Sequence, residues 1–201
     1  MSNLCGQLQF DFYANQVVIK LVAYKKAALL TLLFAVNLGS GIWLPVESIT
    51  NRANATDLTC RSNSRGVVIG QDGNIHITWR GNVGSVYQIW YSYWDSSNGE
   101  WSEDTVISNE SNSTGDPAIG CDSLGNIYVA WITAGLLKLK CRDFSTGEWQ
   151  VEDTFRTGSD RDSAVSMAID KDGVVHLTWA SLGSGEQRCV YYVLYDNGWA
   201  E

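Results

Sequence analysis

Seven aromatic and basic side chains recur at equivalent positions of three similar segments and could hold an acidic sugar. They are Trp90, Trp94, Lys138, Lys140, Arg142, Tyr191 and Tyr195. In each segment they alternate with other residues, so a β-strand would place them on one face. Cations and rings on such a face bind acidic glycans by charge and by stacking. The alternative is that the Lys and Arg stems cover apolar surface and keep the face soluble.

We expect Lys138, Lys140 and Arg142 to share one solvent-facing side of a strand, because they alternate with Leu137 and Leu139. Any acidic ligand would then bind there. The equivalent strands are aromatic, so the predicted face is aromatic, then basic, then aromatic along the three segments.

A sequence segment of about fifteen residues precedes these strands and occurs three times. Residues 65–79, 117–131 and 165–179 align without a gap and end on Trp79, Trp131 and Trp179, at spacings of 52 and 48. A period of this length is typical of propellers and repeat arrays. We place the repeats at about 65–112, 113–160 and 161–201.

Each repeat has the pattern of four short strands joined by Gly-containing turns, and no convincing helix. Asp72-Gly73 and Asp172-Gly173 are hairpin-type turns, since Gly accepts the positive φ that such a turn needs. The predicted fold is therefore all-β, with about three four-stranded β-propeller blades of about 50 residues each. Propellers close with about four to eight blades, so we expect an incomplete propeller.

Two equivalent turns carry Asp122 and Asp170, and two equivalent strands carry His76 and His176. A carboxylate that caps its own turn explains the aspartates better than calcium, because an EF-type loop needs a further oxygen ligand. The histidines occupy one position per repeat, which indicates packing rather than metal binding or acid–base catalysis. We predict no cofactor, no metal site and no catalytic residue.

The cysteines show no metal-type spacing. Cys121 and Cys141 align with apolar residues of the other repeats, so they are predicted to point inward as small apolar side chains. No disulfide is assigned.

The charge distribution excludes one class of partner. The whole chain has a net charge of −8, and residues 1–46 carry +2, so the remainder carries −10. Phosphate binding depends on Lys and Arg clusters, so the acidic charge of residues 47–201 predicts that the protein does not bind nucleic acid. The composition instead fits an extracellular or periplasmic protein.

The first 41 residues have the features of a signal peptide with a long leader, or of a membrane anchor. Lys20, Lys25 and Lys26 precede an apolar run at residues 27–36, and small residues follow at 39–41. Uncleaved, residues 27–44 would form the membrane contact. A buried helix is the remaining alternative. Residues 42–64 follow as a linker or an irregular first strand, and the partial propeller begins at residue 65.

The pattern P-x-I-x-x-D-x-x-G-N-x-x-V-x-W at residues 117–131, with G-x-W-S at residues 99–102, resembles sialidase-like propellers with Asp-box (BNR-type) repeats. The resemblance covers about residues 65–201 and implies the scaffold. Catalytic members also carry an Arg-Ile-Pro segment that feeds an arginine cluster. The two prolines here follow Leu44 and Asp116, so that segment is absent. The Asp-box is degenerate, because Gly99 and Gly147 stand two residues before their tryptophans and Gly198 only one.

The favoured hypothesis is a non-catalytic exported propeller module that binds a glycan or a protein at the cell surface, with a secreted, periplasmic or surface location. The first alternative is a fragment of a sialidase-like glycoside hydrolase whose catalytic blades lie outside this chain. The second is a purely structural repeat segment of a larger surface protein. Further blades would come from a longer parent chain or from identical chains.

Overall fold

The computed structural model describes residues 7–13, 16–22, 49, 57–58, 66–157, 164–182 and 188–199. The chain divides into two compact units, Met1–Glu47 and Ser48–Glu201. The described residues form fifteen β-strands and no helix, which confirms the all-β prediction. No helix in this part of the chain is long and apolar enough to cross a membrane.

The first unit contains an antiparallel hairpin of β1 (Gln7–Tyr13) and β2 (Gln16–Val22), with Phe10 opposite Ile19. This hairpin lies within the predicted leader. The apolar run at 27–36 and the small residues at 39–41 lie outside the described residues, so the signal or anchor segment stays a prediction.

The second unit contains three antiparallel sheets. The first sheet consists of β3 (Asp57–Leu58), β4 (Val67–Ile69), β5 (Ile75–Val83), β6 (Val86–Asp95), β7 (Glu100–Trp101) and β8 (Thr105–Val106). The second consists of β9 (Ala118–Cys121), β10 (Ile127–Thr133), β11 (Leu136–Arg142) and β12 (Asp153–Arg156). The third consists of β13 (Val165–Ile169), β14 (Val175–Leu182) and β15 (Arg188–Tyr195).

The register of the strands makes the three sheets equivalent. The tryptophan that ends each repeated segment lies opposite a residue of the next strand, in the pairs Trp79–Trp90, Trp131–Lys138 and Trp179–Tyr191. The later tryptophans pair in the same way, as Trp94–Trp101, Arg142–Trp149 and Tyr195–Trp199. The predicted fourth strand is split in two: in the first sheet, β7 and β8 both pair with β6.

Carboxylates cap the turn between the first two strands of each repeat. Asp122 Oδ1 accepts the backbone N–H groups of Leu124 and Asn126 at 2.9 and 2.8 Å. Asp170 Oδ1 accepts two backbone N–H groups in the same way, at 2.9 and 3.0 Å. These bonds satisfy donors that the tight turn would otherwise leave to water, so the capping interpretation is confirmed.

The first repeat has Gly70 at the capping position and uses Asp72 instead. The Asp72 carboxylate accepts the Asn74 backbone N–H at 2.9 Å. A Cβ atom on residue 70 would lie 2.6 Å from Asp72 Oδ1, so the missing side chain provides the space that the carboxylate occupies. The same cap is thus built from a carboxylate two residues later.

Two apolar cores hold the sheets face to face. The core between the first and second sheets contains Ile89, Tyr91, Ile107, Ile119, Ile127, Val129 and Trp131. The core between the second and third contains Leu137, Leu139, Val165, Met167, Leu177, Trp179 and Val193, among others. The first strands β4, β9 and β13 lie next to one another, and Asp116 and Ala164 form a parallel bridge. Closure of these sheets into a propeller stays a prediction.

Candidate functional site

The structure places the three predicted cations on one face of β11, but that face packs against the first sheet. Lys138 Nζ lies 2.8 Å from Glu110 Oε1 and 2.7 Å from Glu152 Oε1. Lys140 Nζ donates to the Ile107 carbonyl at 2.9 Å. The solvent-facing prediction is therefore wrong: alternation fixes which side chains share a face, while the neighbouring sheet decides whether that face meets water.

The carboxylates of Glu110 and Glu152 stabilise the protonated form of Lys138. Burial lowers the pKa of Lys138, but hydrogen bonds and the negative charge of Glu110 and Glu152 outweigh burial and leave the pKa raised. Glu110 also accepts the indole N–H of Trp131 at 3.2 Å. This cluster ties the loop after β8 to the second sheet.

Arg142 also meets the first sheet, with its guanidinium 5.3 Å from the centre of the Tyr93 ring. Arg142 and Lys138 thus contact Tyr93 and Glu110 across the first junction, which is the contact between the first and second sheets. Binding of an acidic glycan by the three cations stays a prediction, and it would have to compete with these contacts.

The four predicted aromatic residues divide between two sheets. Trp90 donates its indole N–H to the Gly81 carbonyl at 3.0 Å, and Trp94 contacts the edge of Trp101 at 5.7 Å between ring centres. Tyr191 stacks on Trp179 at 5.6 Å. The seven residues are therefore spread over three sheets and are not brought together. Tyr195 differs from the others, because it lines an open cleft.

A cleft of about 50 Å³ opens between the second and third sheets. Its lining consists of Tyr128, Leu139, Cys141, Gln150, Val151, Asp153, Tyr195 and Asn197. Tyr195, at the end of β15, donates its hydroxyl proton to Asp153 Oδ2, at the start of β12. The amides of Gln150 and Asn197 add donors and acceptors at the rim.

Side-chain size explains why the cleft is open at this junction. The strand register makes Leu139 and Cys141 equivalent to Tyr91 and Tyr93 of the first sheet. At the first junction those two rings fill the corresponding space: Trp149 meets Tyr91 edge-on at 5.0 Å, and Arg142 covers Tyr93. Smaller side chains at the second junction leave room for a ligand.

The titratable groups of the cleft are neutral donors beside one carboxylate. Burial, reinforced by the hydrogen bond to Asp153, raises the pKa of Tyr195 to about 12. Burial also raises the pKa of the Cys141 thiol to about 11, and it raises the pKa of Tyr128. At neutral pH the thiol is protonated, so Cys141 is not an activated nucleophile. The cleft can therefore bind polar groups through neutral donors and the Asp153 carboxylate.

The sequence identified one cleft residue, Tyr195, and missed Asp153, Gln150, Asn197 and Tyr128. Asp153 and Gln150 follow the late tryptophan Trp149, in a segment whose pattern predicts only a fourth strand. Tyr128 stands where the other repeats have histidine, which was a usable signal. Among the described residues, no group of three His, Cys, Asp or Glu side chains could hold a metal ion.

No protein-family model matches the chain, and no curated protein matches it. Among solved structures, the chain is similar to a fucose lectin from Kordia zhangzhouensis in complex with methyl-fucoside. The two are 18% identical, with a TM-score of 0.45, over 67% of this chain and 94% of the lectin. A likeness at this level does not assign this chain to a family.

Proposed function

We propose that this chain is a non-catalytic carbohydrate-binding β module, and that the cleft between the second and third sheets binds one neutral sugar residue. The observation that carries the proposal is the pairing of the Tyr195 ring with the Asp153 carboxylate at the cleft rim. A carboxylate accepts strong hydrogen bonds from sugar hydroxyls, and a tyrosine ring offers a flat apolar surface beside a polar tip.

The charge of the cleft favours a neutral sugar over an acidic one. Asp153 provides the carboxylate of the lining, and the body of the chain is acidic. The cleft lining contains no lysine or arginine among the described residues. A sugar carboxylate would therefore meet repulsion from Asp153 with no cation in the described lining to offset it, which reverses the acidic preference predicted from the β11 cations.

The size of the cleft sets the expected affinity. Ligand pockets usually measure about 300–1,000 Å³, so a cleft of about 50 Å³ holds part of one sugar ring. A monosaccharide has about twelve heavy atoms, and at about 0.3 kcal/mol per atom it binds with a Kd on the order of millimolar. Useful avidity would then require several such sites on one surface.

The same proposal includes the finer architecture and the location. We propose that the three sheets are propeller blades of the degenerate Asp-box kind and that the protein is exported. Equivalent registers, face-to-face packing and adjacent first strands support the blades. The lysine-flanked apolar run at residues 27–36 supports export. Mass spectrometry that finds Met1 retained on cytosolic protein would contradict export.

Saturation-transfer NMR with a panel of methyl glycosides tests the sugar site. The panel contains neutral hexosides and deoxyhexosides, together with a glucuronide and a sialoside. We expect transfer to neutral members, at least a tenfold loss of affinity for Asp153→Asn and for Tyr195→Ala, and no change for Asp172→Asn. Asp172→Asn is the matched control, because it makes the same chemical change at a residue that is paired with Lys171 on the surface and lies outside the cleft lining.

Two results would overturn the sugar site. One is the absence of transfer to every neutral glycoside in the panel, and the other is binding that neither cleft variant weakens. Turnover of a fluorogenic sialoside by this chain, abolished by a point mutation, would instead support the glycosidase alternative.

A further inference from the structure

The outer face of the third sheet exposes large side chains and contains a hydrogen-bonded histidine–tyrosine pair. We call it the third-sheet face; it comprises Ala168, His176, Val190 and Tyr192. Val190 is 79% exposed and Tyr192 is 56% exposed, which is unusual for large apolar side chains in the middle of a strand. His176 Nδ1 and the Tyr192 hydroxyl are 2.7 Å apart, and their rings are stacked.

The first sheet has an equivalent histidine–tyrosine pair, and there the second sheet buries it. His76 Nδ1 and the Tyr91 hydroxyl are 2.6 Å apart, in the same arrangement. Tyr91 is 3% exposed and Ile89, which the register makes equivalent to Val190, is 0% exposed. The cover is the second sheet, whose Trp149 meets Tyr91 edge-on. A sheet of this kind is therefore what the third-sheet face is shaped to receive.

The complementary half of such a contact lies on the first strand of the first sheet. We call Val67 and Ile69, on β4, the first-sheet edge; they are 54% and 67% exposed. The equivalents of Val67, which are Ile119 and Met167, are buried, each against the sheet that precedes its own. The equivalents of Ile69, which are Cys121 and Ile169, are half-buried and pack against the same two cores. The chain thus forms this sheet-to-sheet contact twice internally and exposes one further copy of each half.

We propose that the third-sheet face binds the first-sheet edge of a second copy of this chain. The contact is head-to-tail, so two copies make it twice and close on each other. Two chains of three sheets would form a ring of six, within the range of about four to eight in which propellers close. Three chains would exceed that range. Burial of Tyr192 and Val190 supplies the apolar contact that holds the ring.

Light scattering on the full chain after size exclusion tests the proposal. We expect a mass of twice 22.2 kDa for the native sequence. Tyr192→Glu and Ile69→Glu should each give 22.2 kDa, because a buried, unpaired carboxylate opposes the contact. Val151→Glu should remain a dimer, since Val151 is the matched control at an exposed position outside both surfaces.

Mixing the two variants distinguishes a head-to-tail contact from a symmetric one. In a mixed pair, one of the two contacts joins an unmodified third-sheet face to an unmodified first-sheet edge. We therefore expect Tyr192→Glu and Ile69→Glu to form a dimer together although neither does so alone. A symmetric contact between two third-sheet faces would leave Ile69→Glu dimeric, which contradicts the proposal.

Circular dichroism melts of each variant separate loss of assembly from loss of folding. Val190→Lys is a second variant of the third-sheet face and should also give the monomer mass. A native chain that is monomeric, as expected if further repeats of a longer protein cover these surfaces, would overturn the proposal. Dimers that persist in both glutamate variants would overturn it as well.

Discussion

Tyr195 and Asp153, 42 residues apart in sequence, join the third sheet to the second through a hydrogen bond at the rim of the cleft. The donor ends β15 and the acceptor begins β12, so the bond links two successive repeats. Because Asp153 is exposed, water replaces the bond when it is lost. We expect Tyr195→Phe to lower the free energy of unfolding by about 1 kcal/mol.

A double-mutant cycle in urea measures this bond. Tyr195→Phe, Asp153→Asn and the double variant should show a coupling of about 0.5–1.5 kcal/mol. Additive effects, with no coupling, would mean that the two side chains do not interact in solution.

Lys138 between two carboxylates should be the most sensitive charged position of the second sheet. Lys138→Ala leaves the buried Glu110 carboxylate without its cation, and we expect a loss of about 3–5 kcal/mol of unfolding free energy. Lys171→Ala is the control, since Lys171 is 86% exposed in its pair with Asp172 and should change stability by less than about 1 kcal/mol. Equal effects of the two variants would contradict the buried network.

His76 should make the stability of the protein depend on pH. Burial lowers the pKa of His76, Asp72 raises it to a smaller extent, and the charge of Arg142 lowers it further. The unfolded chain therefore binds more protons than the folded chain below the ordinary pKa of about 6.5. Stability is retained above that value and falls as the pH decreases toward the folded pKa.

Thermal melts between about pH 7.5 and about pH 5.5 follow this effect, within the range where histidine is the main group to titrate. The native chain should lose stability on acidification across this window, and His76→Gln should show a smaller change. An identical pH dependence in the two proteins would show that His76 is not the group responsible.

Among the three described cysteines, labelling should separate the two half-buried thiols, Cys121 and Cys141, from the exposed Cys189. The pKa of Cys141 is raised to about 11 by burial, and the pKa of Cys121 is raised for the same reason. Cys189 is exposed. With iodoacetamide at neutral pH, peptide mass spectrometry should find Cys189 modified before Cys121 and Cys141, and Cys141 modified only after urea is added. Rapid labelling of Cys141 in the folded chain would contradict the burial of that thiol.

The sequence determined the local structure, because each local signal acts over a few residues. The repeated segments ending on Trp79, Trp131 and Trp179 predicted equivalent strands, and the registers show them. Asp122 was predicted to cap its own turn, and it does. Alternation along β11 also predicted that Lys138 and Lys140 share a face.

Tertiary packing decided what each face meets. Lys138 was predicted to face solvent and instead lies between Glu110 and Glu152, which the sequence places 28 residues before it and 14 after it. The cleft likewise depends on two adjacent sheets, because Leu139 and Cys141 leave space only where Tyr195 and Asp153 approach from either side. Strand periodicity sets the direction of a side chain relative to its own backbone. Its partners come from segments far along the chain, and only the packing of sheet on sheet brings them within contact distance.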